Sequence, residues 1–579
     1  MARVDVSNPS LSIGPGRARQ SRVVARVVAL ALVLATPSGA RAAWPQPARG
    51  EHAMVVTAHP LATAAGIQIL HAGGNAVDAA VAVSLALSVV EPWSSGLGGG
   101  GFAVVHRGDV TTTWDMREAA PAAATADMFL VNGKVVDGES TSGPRAAAIP
   151  GLVRGLAVLH ARYGKLGWAQ VVQPALTLAR DGFQASERLA QASADGFGRM
   201  NAAAQRVFGL GRGRAVEAGE RIVQADLAGT LERIAATHGE DFYTGTTAAE
   251  LVRAVRADGG IWSAEDLATY APKERPPVLG RYRGHDLVSM GPPSSGGLLV
   301  VEMLAVLERF PPAPWNGVTM LHRLAEVMKR AFALRASGLA DPDFATVDRA
   351  RFIGTPVIDR LAREVTAAKR ATSAKTIGLV KVKAPDRPNT THFAIVTAEG
   401  DGVAMTQTIN LRFGNGRIAG STGVVLNDEM DDFAAAPGVP NAFGLIGDAA
   451  NAVAPGKRPL SSMTPTLMLE GGRVVGAFGS PGGSRIISTT LQCILRVVDD
   501  GMNASQAVSA PRVHHQWYPD QLEAEPFALA PETRAALAKL GHAVKDIGGM
   551  GNAMVIVRRA DGVLEGAADP RGEGSASGF

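Results

Sequence analysis

The sequence predicts an α+β protein whose sheets draw strands from both halves of the chain. Helical periodicity dominates from 151 to about 329, and β-type runs dominate after Thr390. Two further β-type runs, at 102–105 and 111–116, lie among the early helices, so strands stand on both sides of 390. Hydrophobic content of 46% and charged content of 19% suit a globular chain, and 579 residues can bury a core that needs no disulfide staples.

Residues 1–42 read as a secretory signal. Arg17, Arg19, Arg22 and Arg26 precede the apolar run 27–35, Pro37, Ser38 and Gly39 break the chain, and Ala40-Arg41-Ala42 fits the small-x-small cleavage rule. The run is far shorter than the roughly 20 residues of a membrane span. Removing 1–42 takes six Arg and one Asp, leaving 51 basic and 52 acidic residues. The formal charge of +4 thus belongs to the leader, and a mature charge of −1 gives no reason to expect nucleic acid. No later segment is apolar enough to span a bilayer. Cys493, the only cysteine, sits in the apolar run 486–498 and reads as a buried, inert thiol. An exported chain without disulfides fits the periplasm or the bacterial exterior.

After a short Pro/Ala linker, Pro60–His71 predicts a helix ended by Gly73-Gly74, and Ala76–Val90 predicts a second, apolar enough to be buried. A run of glycines from Gly96 to Gly101 leads into the strand at 102–105. Amphipathic stretches follow near 152–163, 168–181, 247–257 and 320–335. Lys, Arg, Pro385 and Pro388 mark 365–389 as an exposed, mobile connector. Beyond it, 392–397 and 403–408 form a hairpin through Glu399-Gly400-Asp401-Gly402. Further β-type runs lie at 423–426, 466–469, 474–478 and 553–558, and one helix runs from after Gly483 to about Val498.

The chemistry concentrates where the connector meets the first strand, at Asn389-Thr390-Thr391-His392. A threonine hydroxyl needs a base. If the chain is cut before Thr390, the new α-amine lies beside that hydroxyl and serves as one. The hairpin returns Thr408 and Asn410 to the same end as Thr390. Glu429 and Asp432 lie three residues apart, on one face if the segment is helical, where they can hold an ammonium. Ser461-Ser462 add hydroxyls, and Gly482 and Gly483 can point N–H groups at a developing oxyanion.

These segments, in this order, resemble the γ-glutamyltransferase (γ-glutamyltranspeptidase) family from about His52 to the C-terminus. The resemblance is carried by Thr390-Thr391-His392, Leu426-Asn427-x-Glu429-Met430-Asp431-Asp432-Phe433, the segment 457–466 around Ser461-Ser462-Met463, and Gly479-Ser480-Pro481-Gly482-Gly483-Ser484-Arg485. Gly73-Gly74-Asn75-Ala76-x-Asp78-Ala79-Ala80 and the glycine run match in the first half. The resemblance implies a four-layer αββα sandwich of the N-terminal-nucleophile hydrolase type, autocleaved at Asn389–Thr390 into a large subunit (43–389) and a small catalytic subunit (390–579). It further implies Thr390 as nucleophile with Thr408 bonded to it, and Arg117, Ser461 and Ser462 on the substrate α-carboxylate. Asn410, Glu429 and Asp432 would hold the α-ammonium, with Gly482 and Gly483 as oxyanion hole. Glutathione or another γ-glutamyl compound would be the donor, water or an amino acid or peptide the acceptor, and no cofactor or metal is implied. The stretch 437–451 resembles a pocket lid, in which Phe443 stands where an aromatic hydroxyl often latches the loop. Leu334 replaces an acidic residue expected in the helix near 329–343.

Other readings are weaker. Gly96-x-Gly98-x-x-Gly101 has a helix before it and a strand after it, the reverse of a dinucleotide fingerprint. His514-His515 with Asp520 and Glu523 matches no metal-ligand spacing. The basic stretch 360–383 reads as a solvated connector. A glutaryl-type cephalosporin acylase of the same fold would have no use for Asn410, Glu429 and Asp432 together, and an exported amino-acid-binding protein that never matures would have none for the nucleophile.

Overall fold

Two seven-stranded antiparallel sheets lie face to face, with helices on the outer side of each. The computed structural model describes residues 45–378 and 389–579. The expected leader 1–42 and the connector residues 379–388 lie outside these. Apart from Pro45, the described residues belong to one unit, Gln46–Phe579. No helix among them is long and apolar enough to cross a membrane.

One sheet runs Ser575–Gly578, Ala53–Thr57, Thr391–Thr397, Gly402–Thr408, Gly100–Arg107, Val110–Asp115, Lys273–Arg275. The other runs Ala48–Gly50, Leu564–Ala568, Met554–Arg558, Arg473–Gly479, Thr466–Glu470, His285–Ser289, Val278–Tyr282. Thr391–Thr397 and Gly402–Thr408 are buried along their whole length, which explains why Phe393-Ala394-Ile395-Val396 reads as a continuous apolar run without alternation. Both faces are covered: one by the second sheet, the other by the helix Ala76–Val90, itself buried at every position. That helix starts at a capping box in which Asn75 and Asp78 satisfy each other's backbone N–H groups. The helices Gly296–Glu308 and Arg485–Val498 pack on the second sheet.

The glycine run is a place of close backbone approach. A Cβ at Gly98 would lie 2.2 Å from the Val425 carbonyl oxygen, and one at Gly99 2.0 Å from that of Thr408. Only bare backbone lets the run cross against the end of the 402–408 strand. The run is therefore a support for the hairpin and leaves no cradle for a phosphate.

The expected helices at Pro60–His71 and Ala76–Val90 and the hairpin are present, but three expectations change. Lys273–Arg275, Val278–Tyr282 and His285–Ser289 are strands inside the stretch read as helical. Lys273–Arg275 and Val278–Tyr282 are edge strands that carry charged residues, while His285–Ser289 pairs on both sides, with Val278–Tyr282 and Thr466–Glu470. Residues 423–426 form no strand and make only isolated bridges, Leu426 to Gly98 and Val425 to Ile418. The described part of the connector, 365–378, is largely exposed as expected, but its backbone is tied down. The helix Thr355–Ala367 runs into it, and beyond that Lys329 Nζ donates to the Thr372 carbonyl at 2.5 Å, Glu326 accepts the Thr372 N–H at 2.9 Å, and Trp517 Nε1 donates to the Ala374 carbonyl at 2.9 Å.

Glu302 is an exception within the helix Gly296–Glu308. It is 1% exposed and its Oε2 has no partner, so burial pushes its carboxyl well above the usual range. A folded-state pKa above the unfolded value of about 4.3 means that folding loses stability as pH rises from that value towards the folded pKa. Glu302→Met is expected to raise the melting temperature at pH 7 by on the order of 1–3 °C, with the gain shrinking as pH falls toward 4. Thermal denaturation followed by circular dichroism at both pH values checks this.

Candidate active site

The strand after the expected nucleophile begins at Thr391, so Thr390 is the last residue before regular pairing starts. Its φ is 104°, a region that a β-branched residue enters only under constraint, at roughly 1–3 kcal/mol. The constraint comes from both sides. Asn389 Nδ2 donates to the Trp93 carbonyl at 2.7 Å, while the Asn389 carbonyl accepts the Gly482 N–H at 3.2 Å. Thr391 Oγ1 donates to Glu91 at 2.6 Å. Burial pushes the Glu91 carboxyl up to about 7, with the Thr391 bond opposing.

Thr390 Oγ1 lies 3.1 Å from Thr408 Oγ1, which also accepts the Asn410 N–H at 2.9 Å. Thr408 is held because the hairpin pairs Thr391 with Gln407, and Gln407 is clamped by Ser84 and Ser95. Asn410 donates its amide to the Asp428 carbonyl at 2.9 Å, leaving Oδ1 as the atom for an ammonium. Gly482 and Gly483 adopt φ of 138° and 58° just before the helix Arg485–Val498, which turns the Gly482 N–H back onto the Asn389 carbonyl.

Residues 429–432 form a 3₁₀ turn, in which positions three apart eclipse, so Glu429 and Asp432 share a face as their spacing predicts. Arg117 reaches both: Nη1 donates to Glu429 and Nη2 to Asp432 at 2.5 Å, while Glu118 lies 3.6 Å away. Burial alone would lower the Arg117 pKa, but Glu429, Asp432 and Glu118 more than offset it and raise it. Burial pushes Glu118 up to about 7 and Glu429 well upward, with Arg117 opposing in each case. The groups assigned to opposite ends of a substrate are thus paired with one another in the uncut chain. The cavity bounded by Arg117, Thr390, Thr408, Asn410, Glu429 and Asp432, and further by Ser461, Ser462 and Gly483, measures about 20 Å³, room for one water at most.

The stretch 437–451, expected as a lid, lies against this cavity through Phe443 and Leu445, without a phenol. Phe443 is 4% exposed and packs on Gly483, where an added Cβ would lie 2.5 Å from its ring. Asn441 Nδ2 donates to Asp432 at 2.9 Å and the Ala442 N–H to Asp431 at 2.9 Å. Sequence reasoning missed Asn441, Trp93, Glu91 and Glu118. Glu118 adjoins Arg117 and its type was a usable signal, whereas Trp93 acts through its carbonyl and leaves none. His514 and His515 are engaged by Ser488, Gln516 and Asp520. His322, Glu326 and His542 have ligand atoms within 4.8 Å of one another, but Glu326 already binds Arg330 and Thr372, and the two imidazoles bond each other at 2.7 Å.

Over residues 62–579 the chain matches the family described as Gamma-glutamyltranspeptidase. It is 41% identical over 532 residues to the glutathione hydrolase proenzyme of Escherichia coli (strain K12), an alignment covering 91% of each chain. Its structure resembles the crystal structure of cephalosporin acylase from Bacillus halodurans, with a TM-score of 0.81 and 26% identity over 94% of this chain and 98% of that one. It also resembles Helicobacter pylori γ-glutamyltranspeptidase, with a TM-score of 0.52 and 36% identity over 53% of this chain and 90% of that one.

Gly483→Ala would drive a methyl into Phe443 and force a side chain to φ 58°. It is expected to slow appearance of two fragments on a denaturing gel by on the order of 10²-fold or more, the scale of losing one oxyanion donor.

Proposed function

The chain belongs to the γ-glutamyltranspeptidase family and is a γ-glutamyltransferase and glutathione hydrolase with the αββα fold of N-terminal-nucleophile enzymes; we propose that it matures by cutting itself at Asn389–Thr390 and then works through a γ-glutamyl ester on Thr390. The observation that carries this reading is the Gly482 N–H on the Asn389 carbonyl, 3.2 Å away, beside a strained Thr390 whose hydroxyl meets that of Thr408. A carbonyl polarised in this way is the electrophile for Thr390 Oγ1. The C–N bond is exchanged for an ester, water opens the ester, and the Thr390 amine is released together with the backbone strain. Departure of Asn389 frees the Gly482 N–H, so one oxyanion hole serves first the chain and then the substrate.

In turnover, the freed amine takes the proton from Thr390 Oγ1 as it attacks the γ-carbonyl of glutathione or a similar donor. The leaving amine takes the proton, and water or an acceptor amine then opens the ester by the same steps in reverse. Substrate glutamate enters by exchange: its α-carboxylate takes Arg117 from Glu429 and Asp432, and its α-ammonium takes the released carboxylates and Asn410 Oδ1. Ser461 and Ser462 complete the carboxylate side. The fragments 43–389 and 390–579 stay together as a heterodimer. The leader-like composition of 1–42 supports export to the periplasm or beyond.

The likeness to a cephalosporin acylase makes glutaryl transfer the second reading. Carboxylates at Glu429 and Asp432 favour a substrate that carries an ammonium, since a glutaryl group would leave buried acceptors unmatched. Thr390→Ala is expected to stay uncut and inactive, and Thr390→Ser to retain both steps. Mass spectrometry of the fragments checks the cut. γ-Glutamyl-p-nitroanilide is expected to outpace its glutaryl analogue by at least about 10²-fold in kcat/KM; equal or faster glutaryl turnover overturns the choice of substrate.

A further inference from the structure

Arg335 ends the helix Val318–Arg335 and is 5% exposed, yet none of the steps above uses it. Other buried guanidinium groups nearby are held by carboxylates: Arg117 by Glu429 and Asp432, Arg458 by Asp115 at 2.7 Å, Arg275 by Asp115 and Asp341. Among the described residues Arg335 has no carboxylate within ion-pair distance. Its partners are two hydroxyls, with Nε 2.9 Å from Ser295 Oγ and Nη2 3.3 Å from Ser462 Oγ. Burial lowers its pKa to about 10, which leaves it charged at neutral pH. Asp432 acts on it only from a distance, opposing the effect of burial, and is itself bonded to Arg117, so the guanidinium has no carboxylate bonded to it.

The direction of these bonds decides what the serines can do. A guanidinium only donates, so both hydroxyls accept from it and keep their own protons for another acceptor. The Ser295 hydroxyl donates to the Ser461 carbonyl at 2.7 Å, fixing that backbone. The Ser461 hydroxyl accepts the Met463 N–H at 3.1 Å, so its proton is also left to give. Ser462 Oγ has no other partner among the described residues, and both serines bound the cavity.

We infer that Arg335 is a positioning residue for the donor's α-carboxylate, holding Ser462 directly and Ser461 through Ser295 as hydrogen-bond donors and supplying the charge which that carboxylate balances. The inference rests on the γ-glutamyl reading. It differs from a scaffold role because it acts only on substrates that carry the carboxylate.

The test compares γ-glutamyl-p-nitroanilide with the same anilide bearing an α-carboxamide in place of the α-carboxylate. Both are assayed with the wild type, Arg335→Gln and Arg335→Lys, after each protein is checked for its two fragments. Arg335→Gln is expected to raise KM for the carboxylate donor by about 10–100-fold, the scale of a charged hydrogen bond, with kcat within about threefold. The carboxamide donor should scarcely change, so the preference for carboxylate shrinks by the same factor. Arg335→Lys keeps the charge but not the fork and should restore part of the preference. An unchanged KM, an equal rise for both donors, or failure of both variants to mature overturns the inference in favour of a scaffold role. A wild type that mature and folded turns over neither donor refutes the γ-glutamyl reading, and this inference with it.

Discussion

The peptide bond before Thr390 is held from two directions, and the rest of the site is arranged around that hold. Asn389 is pinned through its side chain to Trp93, behind the helix Ala76–Val90, and through its carbonyl to Gly482, at the start of the helix Arg485–Val498. These anchors belong to opposite outer layers of the sandwich. Thr390 bridges them and takes the strain as a φ of 104°. A single rigid sheet could not apply such a constraint; two packed sheets with a helix on each outer face can.

The pocket beside this bond is an electrostatic arrangement before it is a shape. Carboxylates from 428–432 and Glu118 crowd one buried guanidinium, and burial favours the protonated form of Glu118, Asp428 and Glu429. Under the proposed function, substrate recognition in such a site is an exchange of partners. The glutamate backbone offers a cation and an anion at fixed separation, and each replaces a partner that the uncut chain supplies to itself. Little net charge needs to be desolvated in the exchange, which suits a small, buried cavity.

Much of this was legible in the sequence, and the reasons are local. Thr390, Gly482 and Gly483 stand at junctions between element types, and the spacing of Glu429 and Asp432 was enough to put them on one face. The Ala76–Val90 helix was readable because every position except the capping Asp78 is apolar or small. Less legible was whatever depends on distant backbone. The Trp93 carbonyl, the strands between 273 and 289 and the clamp on Thr372 carry no pattern of their own. Residues 423–426 have β-type side chains yet pair with nothing extended, because Gly98 and the turn at 418–425 occupy their neighbours. The lid was half legible: Phe443 announced the loss of a hydroxyl, but Asn441 as the polar tie to Asp432 appears only in three dimensions.

The interleaved strand order changes the molecularity of folding. Thr391–Thr397 lies between Ala53–Thr57 and its hairpin partner, and Arg473–Gly479 and Thr466–Glu470 lie in a sheet that begins and ends with strands from before the cut. The uncut chain assembles these layers in a first-order process, with every strand tethered to its neighbour's neighbour. With the proposed cut at Asn389–Thr390, the same architecture is a second-order product of two polypeptides, each lacking three or four of the seven strands of each sheet. Its reassembly after unfolding therefore depends on concentration, while its persistence depends on a high barrier to unthreading. The proposed self-cleavage thus sets a direction in time: a protein cut this way folds as one molecule and endures as two.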